Sequence, residues 1–229
     1  MAVIHRTTLT PTKLELLTSW LPTQPWYRGD GSEPELSKAG GFRLDDPHGE
    51  VGIEFMVVSD AAGDRPGGYL VPLTYRGAPL PGADRALLGT AEHGVLGRRW
   101  IYDGTHDPVL VTQLFAFLQG RVEAQAQSVS DRTDPSVTGR LADAGVGTVS
   151  GPVGVSHDRE GTDVLVRAGS AGELTLRFHR FLVPAAEGEA GGAGHVLGDV
   201  TADWLLPDGT ASRGLFAVVR GAAPDAGTS

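Results

Sequence analysis

The sequence predicts an α+β fold in which antiparallel strands wrap one long helix and a second, smaller β-rich unit follows. Three observations predict it. Segments with two-residue alternation recur along the chain. A single stretch near the middle carries a helical apolar stripe. The 229 residues include 33 glycines and 15 prolines, which favour turns and short elements over a helical bundle.

Taken in order, Ala2 to Thr8 reads as a strand. Thr10 before Pro11 suits a helix start, and Leu14, Leu17 and Leu21 follow at helical spacing until Pro22. Gly41 to Asp45 reads as a short strand, closed by the turn Asp46-Pro47-His48-Gly49. Val51 to Val58 puts Ile53, Phe55 and Val57 on one face. Tyr69 to Tyr75 reads as its return strand, and Pro72 within it favours an edge or a bulge. Gly94 to Asp103 holds a further strand, with Trp100 and Tyr102 on one face and Ile101 on the other. Thr105 or Asp107 then caps a helix with Pro108 in its first turn. Leu110, Leu114, Phe117, Leu118 and Val122 form its stripe, which places the end near Gln127.

Residues 128–145 are polar and read as a linker between a first domain, 1–127, and a β-rich unit, 146–220. Strands are expected over Val146–Val155, Asp163–Ala168, Glu173–Val183, Val196–Leu206 and Ser212–Arg220, with a hairpin turn at Pro207-Asp208-Gly209-Thr210. Leu174, Leu176 and Phe178 should face one way, and Thr175, Arg177 and His179 the other. Pro184 to Gly194 reads as a mobile loop and 221–229 as a disordered tail.

Composition narrows the function. Without cysteine there are no disulfides, thiolate metal sites or thiol nucleophiles. A formal net charge of −9, with lysine only at Lys13 and Lys38, argues against nucleic acid, whose phosphates need clustered cations. No apolar run reaches the roughly 20 residues that cross a bilayer, and the alternating N-terminus does not resemble a signal peptide. A cytoplasmic protein is expected.

The segments Leu9-Thr10-Pro11-Thr12-Lys13, Gly52-Ile53-Glu54-Phe55, Val71-Pro72-Leu73-Thr74-Tyr75-Arg76 and Leu96 to Gly104, extended by His106-Asp107-Pro108, resemble the maltokinase N-terminal cap in the same order. The resemblance spans residues 1–127. It implies a curved, cystatin-like antiparallel sheet that supplies no catalytic residue. In the family this cap precedes a bilobal kinase that phosphorylates maltose with ATP. The chain is similar to short actinobacterial proteins that carry the cap without the kinase lobe. Thr162 to Val166, Leu174 to Leu182 and Leu215 to Arg220 resemble strands of a degenerate kinase N-lobe. Arg177 then stands where the kinase has its ATP-pairing lysine, and the two side chains are not interchangeable there.

No catalytic residue, cofactor or metal site is assigned. Kinase chemistry needs further acidic groups to hold magnesium and the nucleophile. A branching enzyme needs paired carboxylates on a barrel of roughly 250 residues. His106-Asp107 reads as a helix cap. Ser156-His157-Asp158 is contiguous, which is the wrong geometry for a triad. The seven histidines are dispersed, which leaves only a metal site assembled in three dimensions. The run from Gly192 to Gly198 lacks the strand and helix of a dinucleotide loop. Glu54 is placed toward solvent by alternation; if buried it needs a partner, with Arg76 or Arg98 as candidates.

Tyr75, Arg76, Arg98, Arg99, Trp100 and Tyr102 are the candidate ligand or partner surface, although aromatics on strands more often fill a core. The expected function is a non-catalytic interaction or regulatory module of maltose, trehalose or α-glucan metabolism. Its partner would be a sugar kinase, a trehalose or α-glucan enzyme, or a second copy of the chain. The alternatives are a carbohydrate-binding domain and the non-catalytic part of a split sugar kinase.

Overall fold

A computed structural model describes residues 9–63, 66–127, 132–142, 146–185 and 195–221. The strand expected over Ala2–Thr8, most of the Pro184–Gly194 loop and the tail after Gly221 lie outside these residues. In chain order the elements are β1 (Leu9–Thr10), α1 (Lys13–Trp20), β2 (Leu36–Leu44), β3 (Gly52–Asp60), β4 (Gly67–Arg76), β5 (Leu87–His93), β6 (Gly97–Asp103) and α2 (Pro108–Leu118). There follow β7 (Gln125–Ala126), β8 (Thr138–Leu141), β9 (Gly154–His157), β10 (Gly161–Ala168), β11 (Gly172–His179), β12 (Phe181–Leu182), β13 (His195–Leu205) and β14 (Ala211–Gly221).

The strands pair antiparallel in one open sheet, in the order β1-β5-β6-β4-β3-β2-β13-β14-β11-β10-β9. Short β7, β8 and β12 attach to β2, β13 and β4. The stretch expected as a linker therefore holds a strand, β8, whose Thr138 to Leu141 pair with Thr201 to Gly198. The alternating expectation for β11 holds: Leu174, Leu176 and Phe178 are buried in the core.

The two helices cover opposite faces of the first strands. Leu17 and Leu21 pack with Trp26, Met56, Val58, Tyr69, Val71, Leu73 and Ile101. On the other face Ile53, Phe55 and Val57 join Leu110, Leu114 and Phe115 of α2. This second cluster continues into Val164, Leu176, Phe178 and Phe216. Phe42 ties it together, stacked 4.4 Å from Phe55 and 6.1 Å from Phe216. Each such buried ring contributes roughly 1.5–3 kcal/mol over leaving it exposed.

Among the described residues there is no long helix wrapped by the sheet. α2 has 11 residues, about 16 Å of rise, and stops at Leu118 rather than near Gln127. Gly120 has φ 69°. Its N–H bonds to Phe117 O at 2.9 Å, and Arg121 N–H bonds to Ala116 O at 2.9 Å. This left-handed glycine closure ends the helix although Val122 keeps the apolar spacing.

At the first helix the cap is Thr12, not Thr10. Thr12 accepts from Glu15 N–H, and Glu15 accepts from Thr12 N–H at 2.7 Å. That reciprocal pair satisfies two otherwise open donors. β4 is an interior strand, flanked by β3 on one side and by β6 and β12 on the other. Leu70 N–H donates across that second edge to Arg180 O. Pro72, two residues on, turns its nitrogen to the same edge, between the stretches held by β12 and β6. The missing donor thus falls in a local gap, not at a sheet edge or bulge.

The seam between the first and last thirds of the chain is close. Gly40 pairs with Trp204 at φ 142°. A Cβ on neighbouring Gly41, φ 115°, would meet Phe55 O at 2.0 Å. Only glycine fits that backbone contact.

Candidate functional site

The six residues expected as one surface divide between the two faces of the β4–β6 pair. Register sets Tyr75 opposite Ile101, Arg76 opposite Trp100 and Thr74 opposite Tyr102. Arg76, Arg98, Trp100 and Tyr102 therefore share one face, while Tyr75 and Arg99 share the other. Tyr102 is buried with Ala83 and Ala86, Trp100 packs partly against them, and the Tyr102 hydroxyl accepts from Leu80 N–H at 2.9 Å. Arg76 forks onto Asp107 through Nε at 2.6 Å and Nη2 at 2.7 Å. Arg98 stays exposed, 2.9 Å from Glu92. On the β5–β6 hairpin Arg98 and Trp100 lie on one face and Arg99 on the other, and the turn beyond them carries Val95, 63% exposed, and Leu96, 47% exposed.

Glu54 is buried, not solvent-facing. It accepts from Lys13 Nζ at 2.5 Å, the Tyr75 hydroxyl at 2.5 Å and Gln127 at 2.6 Å. Neither Arg76 nor Arg98 is its partner. The face it shares with Met56 and Val58 is covered by α1, which delivers Lys13. Burial pushes the Glu54 carboxyl up, but the Lys13 charge and the three hydrogen bonds outweigh it, so the group stays below its ordinary value. Tyr75 is raised well above the usual phenol range by its own burial and by the Glu54 charge.

A second polar centre lies where the two halves of the chain meet. Arg180, 0% exposed, sits between β11 and β12. Its Nη2 donates to Asp103 at 2.5 Å and its Nε to Thr162 Oγ1 at 2.8 Å. Its guanidinium lies 4.9 Å from the Trp26 ring centre. Asp103 also accepts from the Thr105 N–H and hydroxyl. Burial drives its carboxyl upward, yet the Arg180 charge and bonds leave it lowered. At the rim are two half-buried histidines. His106 Nε2 is 3.5 Å from His157 Nε2, and His157 Nδ1 is 2.9 Å from Thr162 Oγ1. Desolvation lowers both imidazoles.

Arg180, Thr162, Asp103 and His157 were not singled out from sequence as a group. One signal was available: Arg180 stands two residues from Phe178 and two from Leu182, on the apolar alternation, and a buried cation requires a buried anion. The anion lies 77 residues away, which spacing alone cannot supply. Asp107 caps α2 as expected, accepting from Val109 N–H at 2.9 Å. Arg177 is engaged by Asp158 at 2.7 Å and Asp163 at 3.2 Å. Among the described residues no group of three or more histidines or carboxylates is placed to hold a metal ion. An open groove of about 520 Å³ lies between α1 and the following loop, lined by Thr18, Ser19, Tyr27, Ser32 and Glu33 among others.

Residues 20–107 match the family model of the maltokinase N-terminal cap domain. The match covers less than half of the chain. It includes α1's last residue, β2 to β6 and the turn into α2, and so contains Glu54, Tyr75, the β5–β6 hairpin and Asp103. Leu9 to Lys13, which also resembled the cap, falls outside it. No curated protein matches the chain. No helix among the described residues is long and apolar enough to cross a membrane.

Proposed function

We propose that the chain is a non-catalytic interaction or regulatory module of maltose, trehalose or α-glucan metabolism, acting in the cytoplasm. The observation that carries this reading is the match of residues 20–107 to a domain that accompanies a sugar kinase. Three buried carboxylates support it: Glu54, Asp103 and Asp107 are each taken up by a cation of the scaffold, while Asp46 and Asp60, also buried, accept from backbone N–H groups and the Tyr27 hydroxyl. A carboxylate so engaged is not free to take a proton or hold magnesium. The partner is a sugar kinase or a trehalose or α-glucan enzyme, and the β5–β6 hairpin is the surface offered to it. Val95 and Leu96 supply its apolar tip, and Arg98 and Trp100 follow on one face of the hairpin with Arg99 on the other. A kinase lobe on another chain would make the same surface part of a split enzyme.

Sedimentation of the purified chain with a maltose-phosphorylating kinase, and separately with a trehalose synthase, tests the reading. A complex at micromolar concentration with one of them, lost in Val95→Asp/Leu96→Asp, is the expected result. No complex with either enzyme at about 100 µM, which corresponds to roughly −5.5 kcal/mol of binding, overturns it.

The groove beside α1 favours a second reading, carbohydrate binding. Ser19 and Glu33 line it with a hydroxyl and a carboxylate, while Thr18, Tyr27 and Ser32 donate to Leu14 O, Asp60 and Asp30 and present only acceptor oxygens to a sugar. Calorimetric titration with maltose, trehalose and glycogen oligosaccharides decides it. Heat that disappears in Ser19→Ala/Ser32→Ala supports the groove, and absence of heat at millimolar sugar removes it.

A further inference from the structure

We propose that His106 and His157 form a two-imidazole site for a divalent transition cation, with zinc as the probe. The inference goes beyond the interaction reading and does not depend on it.

The first argument is distance. The Nε2 atoms stand 3.5 Å apart while the ring centres are 5.7 Å apart. The rings therefore approach tip to tip, each turning its outer nitrogen toward the other. An ordinary N–H···N hydrogen bond would close to about 3 Å. Two nitrogens held about 2.0–2.1 Å from one tetrahedral cation stand about 3.3–3.4 Å apart. The observed separation fits a shared cation with a shift of a tenth or two of an ångström.

The second argument is support. His157 Nδ1 is fixed by Thr162 Oγ1 at 2.9 Å, and that oxygen is itself held by Arg180 Nε at 2.8 Å. Thr162 and Arg180 are both 0% exposed. Arginine can only donate, so Thr162 Oγ1 accepts from it, and its second lone pair is open to His157 Nδ1–H in the tautomer that a cation at Nε2 would select. In that tautomer Nε2 of His157 presents a lone pair to the cation. A ligating histidine whose other nitrogen is held by a buried partner is the usual arrangement behind a metal site. His106 is placed by the 3-10 turn Gly104–His106, which Asp103 caps through Thr105 N–H.

The third argument is charge and access. Arg180, whose charge bears on both imidazoles, is paired with Asp103 at 2.5 Å, and Asp158, next in sequence to His157, is taken by Arg177. An incoming cation meets a balanced floor. Both histidines are half-buried, and a tetrahedral cation held by two imidazoles leaves two positions for water. The two ligands come from opposite halves of the chain, which makes the cation a cross-link between the β6–α2 connection and β9.

Isothermal titration of the full chain with zinc chloride at neutral pH tests the site. One equivalent should bind with a dissociation constant in the micromolar range. His106→Ala and His157→Ala should each weaken it at least tenfold, while His48→Ala, in an exposed turn, should leave it unchanged. No binding up to 1 mM zinc, or undiminished binding in the double variant, overturns the proposal. Should the alanine variants fail to fold, imidazole nitrogen resonances of the unsubstituted chain decide. Zinc should shift those of two histidines only; a shift of none, or of a different set, overturns it.

Discussion

Glu54 and Asp103 are both buried carboxylates on strands of the same sheet, and their partners differ in kind. Asp103 faces an arginine that is 0% exposed, planar, and fixed by Thr162 and the Trp26 face. Glu54 faces Lys13, whose side chain is 34% exposed, together with two neutral donors, Tyr75 and Gln127. If Glu54 loses its charge, Lys13 can swing into water. If Asp103 or Arg180 is lost, the survivor stays in the interior with its charge. The first arrangement fastens α1 onto the sheet, while the second joins strands far apart in sequence and tolerates no vacancy.

The largest expected effect follows from that contrast. Arg180→Met should cost about 3–5 kcal/mol, because an unpaired buried carboxylate remains. Urea denaturation followed by circular dichroism measures it. Adding Asp103→Asn, which keeps an oxygen to accept from Thr105, should recover much of the loss. A double variant no more stable than Arg180→Met would show that Arg180 acts by packing on Trp26 rather than by charge. Glu54→Gln should cost less, about 1–3 kcal/mol, the range for a buried group left with weakened hydrogen bonds. If Glu54→Gln proves as damaging as Arg180→Met, the exposure of Lys13 does not moderate the loss.

These two centres also mark where sequence reading stops. The β3 alternation and the Asp107 cap were legible, because period and capping are local properties. The partners of Glu54 arrive from α1, from β4 and from the segment after α2. Alternation within β3 says nothing about what covers it, so the solvent-facing expectation failed. The stripe through Val122 suggested a longer helix, and Gly120 overrode it. Alternation places Trp100 and Tyr102 on one face and Ile101 on the other, but which residues of β4 join each face depends on the β4–β6 register, which sets Arg76 with Trp100 and Tyr75 with Arg99. Arg180 and Asp103 needed the sheet order itself, which no local pattern encodes.

A smaller effect separates the Asp103 centre from the Glu54 centre by pH. His106 and His157 flank Asp103 and Arg180, and burial lowers both imidazoles below the ordinary 6.5. A lowered folded value means the unfolded chain binds protons first, so stability is full above about pH 6.5 and falls as pH drops through and below it. Glu54 and Asp103, both lowered from 4.5 and 3.8, stay ionised in that window and lose their contribution only at lower pH. The urea midpoint should therefore decline between pH 7 and pH 5, less steeply in His106→Gln/His157→Gln. An equal slope in that variant would place the titration elsewhere, with His179, also lowered by burial, next in line.

The smallest expected effect is on stability at the β5–β6 hairpin. Arg98 and Glu92 are 62% and 61% exposed in their side chains, and a pair in water contributes about 0–1 kcal/mol. Arg98→Ala should leave the urea midpoint almost unmoved, in contrast to the buried centres. That neutrality makes it informative, because any loss of complex formation with a sugar kinase or trehalose enzyme then reports on the surface and not on the fold. Arg98→Ala that unfolds the chain would mean the hairpin is part of the scaffold. A stable Arg98→Ala with weakened complex formation would assign the contact to the hairpin, apart from both buried carboxylates.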